Sequence, residues 1–359
     1  MSTQPPEGVA SPSKDDLSRL ELPPGPNGNA AALNSSVTFA TPVDCDFISD
    51  YAEYADVFEL PRKVHESVAI QLIASALNGK IFIRWGSVTC PLDVWMVLLS
   101  ESGQGRNTAT DIALKIVDAT GIEGLIKSAF WGSPPAFYQQ LAQFPASLYV
   151  WPELSVVLRT LKDPRFGGVK EWFTDRYDNL RIPPSIRYRQ TGKSQDTPPI
   201  IFTQSPRINV LATSSREWFI NALEQEDTTG GFVPRWMIVS VEDSGKVLPL
   251  PRATNDDLIP ALAEKLKAIS ALQGEANLQP VNPTYDKWYR QAHDRFRAQP
   301  NPGLAMPFFN RLRANVLKLA VIFEVSQSQS LTVSEGAMQR AIDAAQAIEQ
   351  TIFEILPPA

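Results

Sequence analysis

Apolar residues fall along this chain in short unbroken runs and in helical spacing, with turn residues between them. Residues 94–99 (VWMVLL) form an uninterrupted apolar run with the length of a buried strand. The small polar turn 100–105 (SESGQG) follows, and a helical pattern begins near Asn107, with Ile112, Leu114, Ile116 and Val117 at apolar positions. Upstream, 64–77 reads as one amphipathic helix closed by Asn78-Gly79, 80–85 alternates as a strand, and 88–92 leads into the run at 94. Downstream, Gly132-Ser133-Pro134-Pro135 opens a capped helix, 146–154 reads as a buried strand ending in an acid, and 173–178 as a helix end. Residues 208–215 form another buried strand ending in polar residues, 216–223 a helix, and 236–239 a further strand. Beyond 249–257, which reads as a linker, the pattern is helical: 258–272, 283–296, 308–325 and 334–356, the last with a Ser334 cap and Glu335 in its first turn.

Strands alternating with helices predict an α/β fold with a parallel sheet. The division expected is a disordered tail over 1–36, rich in Pro, Gly, Ser, Asn and Ala, an N-terminal helical extension over 37–88, a core over 89–247, and a C-terminal helical part over 248–359. No internal repeat is visible.

Composition narrows the classes. Cys45 and Cys90 are the two cysteines, with no C-x-x-C pair and no His cluster, which argues against a disulfide scaffold or a zinc site and fits a reducing cytoplasm. No secretory signal is evident, and no apolar run approaches the roughly 20 residues of a membrane span. The net charge of −6 disfavours indiscriminate coating of nucleic acid but leaves room for a local basic channel. His65, near the start of a helix, reads as structural.

Strand, glycine turn, helix is the context of a phosphate-binding loop, whose backbone N–H groups and helix N-terminus attract an anion. The consensus is G-x-x-x-x-G-K-[ST]. Here Gly105 is at the second glycine, Arg106 replaces the lysine, Asn107 replaces the hydroxyl residue, and Thr108 comes one place late. Ser102, Gly103, Gln104, Gly105, Arg106, Asn107 and Thr108 are the candidate nucleotide-binding set. An acid ending a neighbouring strand is the usual companion of such a loop, and Glu153 is that acid, with Pro152 where an Asp is customary. Between 181 and 193, Arg187, Arg189 and Lys193 alternate with Ile186, Tyr188 and Gln190 around Thr191-Gly192. This is a basic hairpin, read either as a DNA-contacting element or as a charged edge that protects a sheet.

In this order the motifs resemble the YfjI-like domain-of-unknown-function family, P-loop proteins of phage, plasmid and other mobile-element contexts. The similar stretches are the helix carrying His65, SESGQGRNTA, GSPPAFYQQL, LYVWPEL, TDRYDN, INVLATS, GGFVPRWMIV and RLRANVLKLAVIF. The layout is also similar to the ATPase core of minichromosome-maintenance and superfamily 3 helicases. That resemblance implies a three-layer AAA+-like P-loop core with an N-terminal helical extension and a C-terminal helical lid. It sets Gly103, Gly105, Arg106 and Asn107 on the Walker A loop, Glu153 on the Walker B glutamate and Thr213 on the first sensor. Arg235 falls on the arginine finger, Arg311 on the second sensor with Arg313 as its rival, and the basic hairpin where those helicases contact DNA.

Three departures change the expected activity. Arg106, Asn107 and Pro152 stand where the resemblance calls for Lys, a hydroxyl residue and Asp. A guanidinium is no simple substitute for a point-charge ammonium, and metal binding loses two customary ligands. The expectation is therefore a degenerate helicase-like ATPase in mobile-element replication or maintenance, with ATP bound weakly or not at all and Mg²⁺ helping less than usual. DNA, further copies of the chain, and a primase or replication partner are the expected partners. Arg235 is expected to lack a partner in its own chain and to act on a neighbour. The alternative is a non-enzymatic DNA-binding or assembly module that binds no nucleotide, and a third reading is an unrelated α/β protein.

Overall fold

The run at 94–99 forms a strand that is covered on both sides. β3 (Trp95–Leu99) is buried at every position, as a central strand of a parallel sheet requires. A computed structural model describes residues 46–101, 106–122, 125, 127–128, 132–187, 198–250 and 252–356. The expected tail over 1–36 lies outside them. The chain begins with α1 (Phe47–Ala55), α2 (Arg62–Ala76), β1 (Ile81–Trp85) and β2 (Val88–Pro91). After β3 come α3 (Arg106–Thr120), β4 (Lys127–Ser128), α4 (Pro134–Gln143), β5 (Ala146–Trp151), α5 (Leu154–Leu161) and α6 (Val169–Asp178). Then follow β6 (Arg207–Ser214), α7 (Arg216–Ala222), α8 (Gln225–Thr229) and β7 (Trp236–Ser240). The C-terminal part supplies α9 (Ile259–Ser270), β8 (Gly274–Ala276), α10 (Asn282–Arg297), α11 (Pro302–Ser328) and α12 (Glu335–Ile355).

The main sheet is wholly parallel, in the order β4-β5-β6-β3-β7. The α/β class with a parallel sheet flanked by helices is therefore as the sequence predicts. Alternation along the strands sends Trp95, Trp151 and Trp236 to one face. There Trp95 meets Phe173 of α6 with ring centroids 4.4 Å apart and Trp236 at 5.6 Å, and Trp151 meets Phe173 at 5.7 Å. Met96 and Met237 face the other way, toward Ile70 of α2 and Ile348 of α12 across a cavity of about 470 Å³.

Buried amides tie the second layer to the sheet. Gln71 on α2 donates Nε2 to the carbonyl of Val210 at 3.1 Å and toward that of Val94 at 3.4 Å. The Asn209 side chain accepts the Val94 N–H at 2.6 Å. Asn78 donates to the Arg207 carbonyl at 2.8 Å, just where Gly79, with φ of +73°, turns the chain out of α2.

The C-terminal helices are built into this core. α11 is buried on nearly all sides over 315–326, the pattern of a helix inside a large core. It starts six residues earlier than the apolar spacing predicts. Asn301 caps it and Pro302 fits the first turn, so the Pro- and Gly-bearing stretch 302–307 is helical despite its composition. A second small sheet, β2-β1-β8, joins parts of the chain far apart in sequence: β8 lies parallel to β1 with Ile83 opposite Ala276. β8 was not foreseen, because the three residues GEA carry no alternating apolar pattern. The described residues form one compact unit.

His65 is fully buried in α2, and neither ring nitrogen has a hydrogen-bond partner among the described residues. Burial pushes its pKa down to about 4, with Asp56 opposing and Lys246 and Arg62 adding to the shift. The folded state thus holds a neutral imidazole, whereas the unfolded chain takes up a proton below about 6.5. Stability contributed by His65 is present above pH 6.5 and is lost as the pH falls toward 4, by about 3 kcal/mol in full. Urea unfolding at pH 7 and pH 4.5 should show the parent losing more stability than His65→Met. Equal losses in the two proteins would show that His65 does not titrate in this way.

Candidate functional site

Parallel strands present their C-terminal ends at one edge, and open α/β sheets bind ligands in the crevice outside that edge. Here the edge gathers residues distant in sequence. Leu99 lies opposite Ser214 on β6 and Ser240 on β7, and Ser100 donates its N–H to the Ser214 carbonyl at 3.2 Å. Trp151 lies opposite Ala212, so Glu153, just past β5, arrives level with Ser214. A crevice of about 580 Å³ is lined by Ser100, Glu101, Glu153, Arg216 and Trp218 among others. A second, of about 570 Å³, shares Ser100, Glu101 and Arg216 and continues to Lys63, Glu242 and Glu354.

The beginning of the glycine turn and the acid expected beside it are thus neighbours. Ser102, Gly103, Gln104 and Gly105 lie outside the described residues. Arg106 and Asn107 begin α3, as expected of the residues after such a turn, and Thr108 is half-buried in its first turn.

Glu153 is already engaged. It is the N-cap of α5, accepting the Ser155 N–H at 3.1 Å, and it also accepts a short hydrogen bond from the Ser214 hydroxyl. Thr213 donates its hydroxyl to the Pro152 carbonyl at 2.5 Å, which joins the ends of β5 and β6. Two members of this edge were not anticipated. Ser214 fixes Glu153. Arg216, the first residue of α7, donates to Ser240 Oγ at 3.0 Å and to Glu354 at 2.8 Å, and so holds the end of α12 beside the crevice. A cation on the first residue after a polar strand end was the available signal.

The carboxylates outnumber the cations. Glu101, Glu153, Glu217, Glu242, Asp243 and Glu354 line the two crevices, against Lys63 and Arg216 among the described residues. Lys63 donates to the Ser240 carbonyl at 3.0 Å, and burial pulls its pKa below the ordinary lysine value while Glu242 and Glu66 oppose the shift. No cluster of His, Cys, Asp and Glu suited to a metal occurs among the described residues.

Arg235 and Arg311 are brought together, but at the opposite edge. Arg235 immediately precedes β7, whose first residue Trp236 pairs with Trp95, the first residue of β3. The glycine turn follows Leu99, four residues further and about 13 Å along the strand. Contrary to expectation, Arg235 has a partner in its own chain: its Nη2 meets Asp178 Oδ2 at 2.7 Å. Arg311 Nη1 reaches both oxygens of the same carboxylate at 2.8 Å. Its rival Arg313 instead lies over the Trp85 ring, 4.8 Å from the centroid. Arg235 also donates to the Gly231 carbonyl. A Cβ on Gly231 would stand 2.8 Å from the Arg235 guanidinium, and the residue's φ of +77° disfavours any side chain. Gly231 is therefore what leaves room for this arginine to fold back to Asp178.

Behind this pair lies a buried polar group. Lys318 of α11 donates to the Asp93 carbonyl at 2.6 Å and to the Tyr177 hydroxyl at 3.0 Å. Burial works against its charge, yet Tyr177, Cys90 and Asp93 outweigh that and hold its pKa above the usual value. Burial pushes the Asp93 carboxyl up to about 6, against the pull of Arg207 at 3.1 Å and of Lys318.

Of the basic hairpin, Arg187 is described and exposed; Arg189 and Lys193 lie outside the described residues. Ile186 and Ile200 exchange two backbone hydrogen bonds, at 3.0 and 2.8 Å, as an antiparallel bridge.

No family model matches this chain, and no curated protein matches it either. No helix among the described residues is long and apolar enough to cross a membrane.

The engagement of Glu153 can be measured. Glu153→Ala should cost about 1 kcal/mol of stability by removing the α5 cap, while Glu153→Gln, which still offers an oxygen to the Ser155 N–H, should lose clearly less. Equal losses in urea titrations of the two variants would show that the cap contributes nothing.

Proposed function

We propose that this chain is a degenerate, helicase-like AAA+-type ATPase that acts on DNA in the replication or maintenance of a mobile element, and that it binds ATP weakly with little or no hydrolysis. The observation that carries the reading is the meeting of the glycine-turn strand, Glu153 and Thr213 at one edge of a parallel sheet. These groups are over 50 residues apart in sequence, and they meet at the edge where open α/β sheets bind ligands.

The chemistry of the edge argues for weak binding. An incoming triphosphate meets more carboxylates than cations among the described side chains, so its charge falls largely to the turn's N–H groups, the α3 N-terminus and Arg106. With Pro152 in place of an Asp, Mg²⁺ loses a customary anchor. Glu153 accepts both of its hydrogen bonds, from Ser155 and Ser214, on Oε1, so it serves as a helix cap and a strand-end tie as it stands. That engagement also favours the second reading, a non-enzymatic assembly or DNA-binding module. Nucleotide binding separates the two.

Titration of the purified chain with a fluorescent ATP analogue, with and without Mg²⁺, should show weak binding that Mg²⁺ improves little. Restoring Arg106→Lys, Asn107→Ser and Pro152→Asp together should raise affinity and increase turnover by about 100-fold or more. A folded triple variant that gains nothing would overturn the degenerate-ATPase reading, as would robust hydrolysis by the parent.

The hairpin gives the DNA arm of the test. Changing Arg187, Arg189 and Lys193 to Ala should weaken sequence-independent DNA binding and lower the log–log salt slope by about 2 to 3 units per chain, with little change in thermal stability. Unaltered binding by the variant would leave the hairpin as a charged sheet edge.

A further inference from the structure

We propose that the space between the sheet, α2, α11 and α12 is a binding chamber for an uncharged, mainly hydrocarbon molecule that carries a hydroxyl group. Its floor is the sheet face opposite the tryptophans, where Met96 of β3 pairs in register with Met237 of β7. Ile70 of α2, Leu319 and Phe323 of α11, and Ile348 of α12 line it from the sides. All six residues are buried, yet about 470 Å³ stays open between them, a volume within the range of small-molecule sites. Part of the space comes from α12, which contributes Ala344 and Ala347 to the lining, three residues apart on one helix face, with side chains that end at Cβ. Methionine is flexible and polarisable, so the floor can adapt to the shape of an occupant.

Charge around the chamber decides the class of occupant. Among the described residues, Lys63, Glu66, Arg340 and Asp343 are the charged members of the lining, two of each sign. Each is already engaged within the chain. Glu66 meets Arg62 at 3.0 Å, and Arg340 meets Asp46 at 2.6 Å and lies 4.6 Å from the centroid of the Phe323 ring. Lys63 donates to the Ser240 carbonyl at 3.0 Å, and Asp343 accepts from the Gln339 amide at 2.8 Å. An anionic ligand would meet Glu66 and Asp343, and a cationic one Lys63 and Arg340. Neither sign gains a net partner for the hydration it gives up on entry. Ser67 is the one uncharged polar residue of the lining among the described residues. Its hydroxyl donates to the Lys63 carbonyl at 2.7 Å and keeps an acceptor lone pair for a ligand hydroxyl.

Lys63 and Ala347 also line the second crevice, so the chamber lies beside the glycine-turn edge. Its apolar interior contains none of the groups that carry the nucleotide reading, and the proposal stands whether or not ATP binds there.

The test is calorimetric titration of the full chain with primary alcohols of increasing length, from butanol through hexanol and octanol to decanol. Each methylene that enters the chamber should raise affinity about three- to fourfold, until the space is filled and longer chains gain nothing. Octanoate and octylammonium should bind at least about tenfold more weakly than octanol. Ala344→Leu and Ala347→Leu, at half-buried positions of α12, should move the limit to shorter chains. Ile348→Val, which removes one methylene from the wall, should move it to longer ones and keeps the test standing should a leucine variant fail to fold. Affinity that climbs with the same slope in parent and variants, without a limit, would show adsorption to the surface and overturn the proposal. Absence of alcohol binding would overturn it as well, and an ion bound as tightly as octanol would overturn the uncharged class.

Discussion

Everything in this molecule depends on how β3 is held between β6 and β7. β3 is five residues long and buried throughout, so its backbone has no water to fall back on. Ladder hydrogen bonds to both neighbours satisfy it, and buried amides correct its entry: Asn209 takes the Val94 N–H, and Gln71 supplies the Val210 carbonyl. A one-residue slip would unpair these amides and turn Trp95 away from Phe173. The same register delivers Ser100 to Ser214 and Trp236 to Trp95. It therefore sets both edges of the sheet, the crevices at one and the arginine pair at the other.

The two edges have opposite electrostatic character. Among the described residues, carboxylates outnumber cations at the glycine-turn edge, while Arg235, Arg311, Lys318 and Arg207 gather at the other, answered by Asp178, Asp93 and Asp175.

Much of the fold is legible in the sequence because the strands are continuous apolar runs and the helices have clear starts: Ser133 and Ser334 cap where their spacing implies. What stays hidden is long-range. Nothing in GEA at 274–276 announces a strand; β1 recruits it by offering a parallel edge. Arg235 and Arg311 were legible as special, but their partner was not. Asp178 sits in an ordinary polar helix end, and only the packing of α6 and α11 brings it to both. Glu153 was legible as a strand-end acid, whereas its capture by Ser214, 61 residues on, depends on the pairing of β5 with β6.

The central claim is that the glycine-turn edge is a weak nucleotide site in a P-loop-like sheet. Hydrogen–deuterium exchange of the full chain, with and without millimolar non-hydrolysable ATP analogue, tests it most directly. The account predicts slowed exchange in peptides covering 100–108 and 152–156, with the helix around His65 unaffected. Unchanged exchange at both segments, at an analogue concentration that saturates the triple-restored variant, would contradict it.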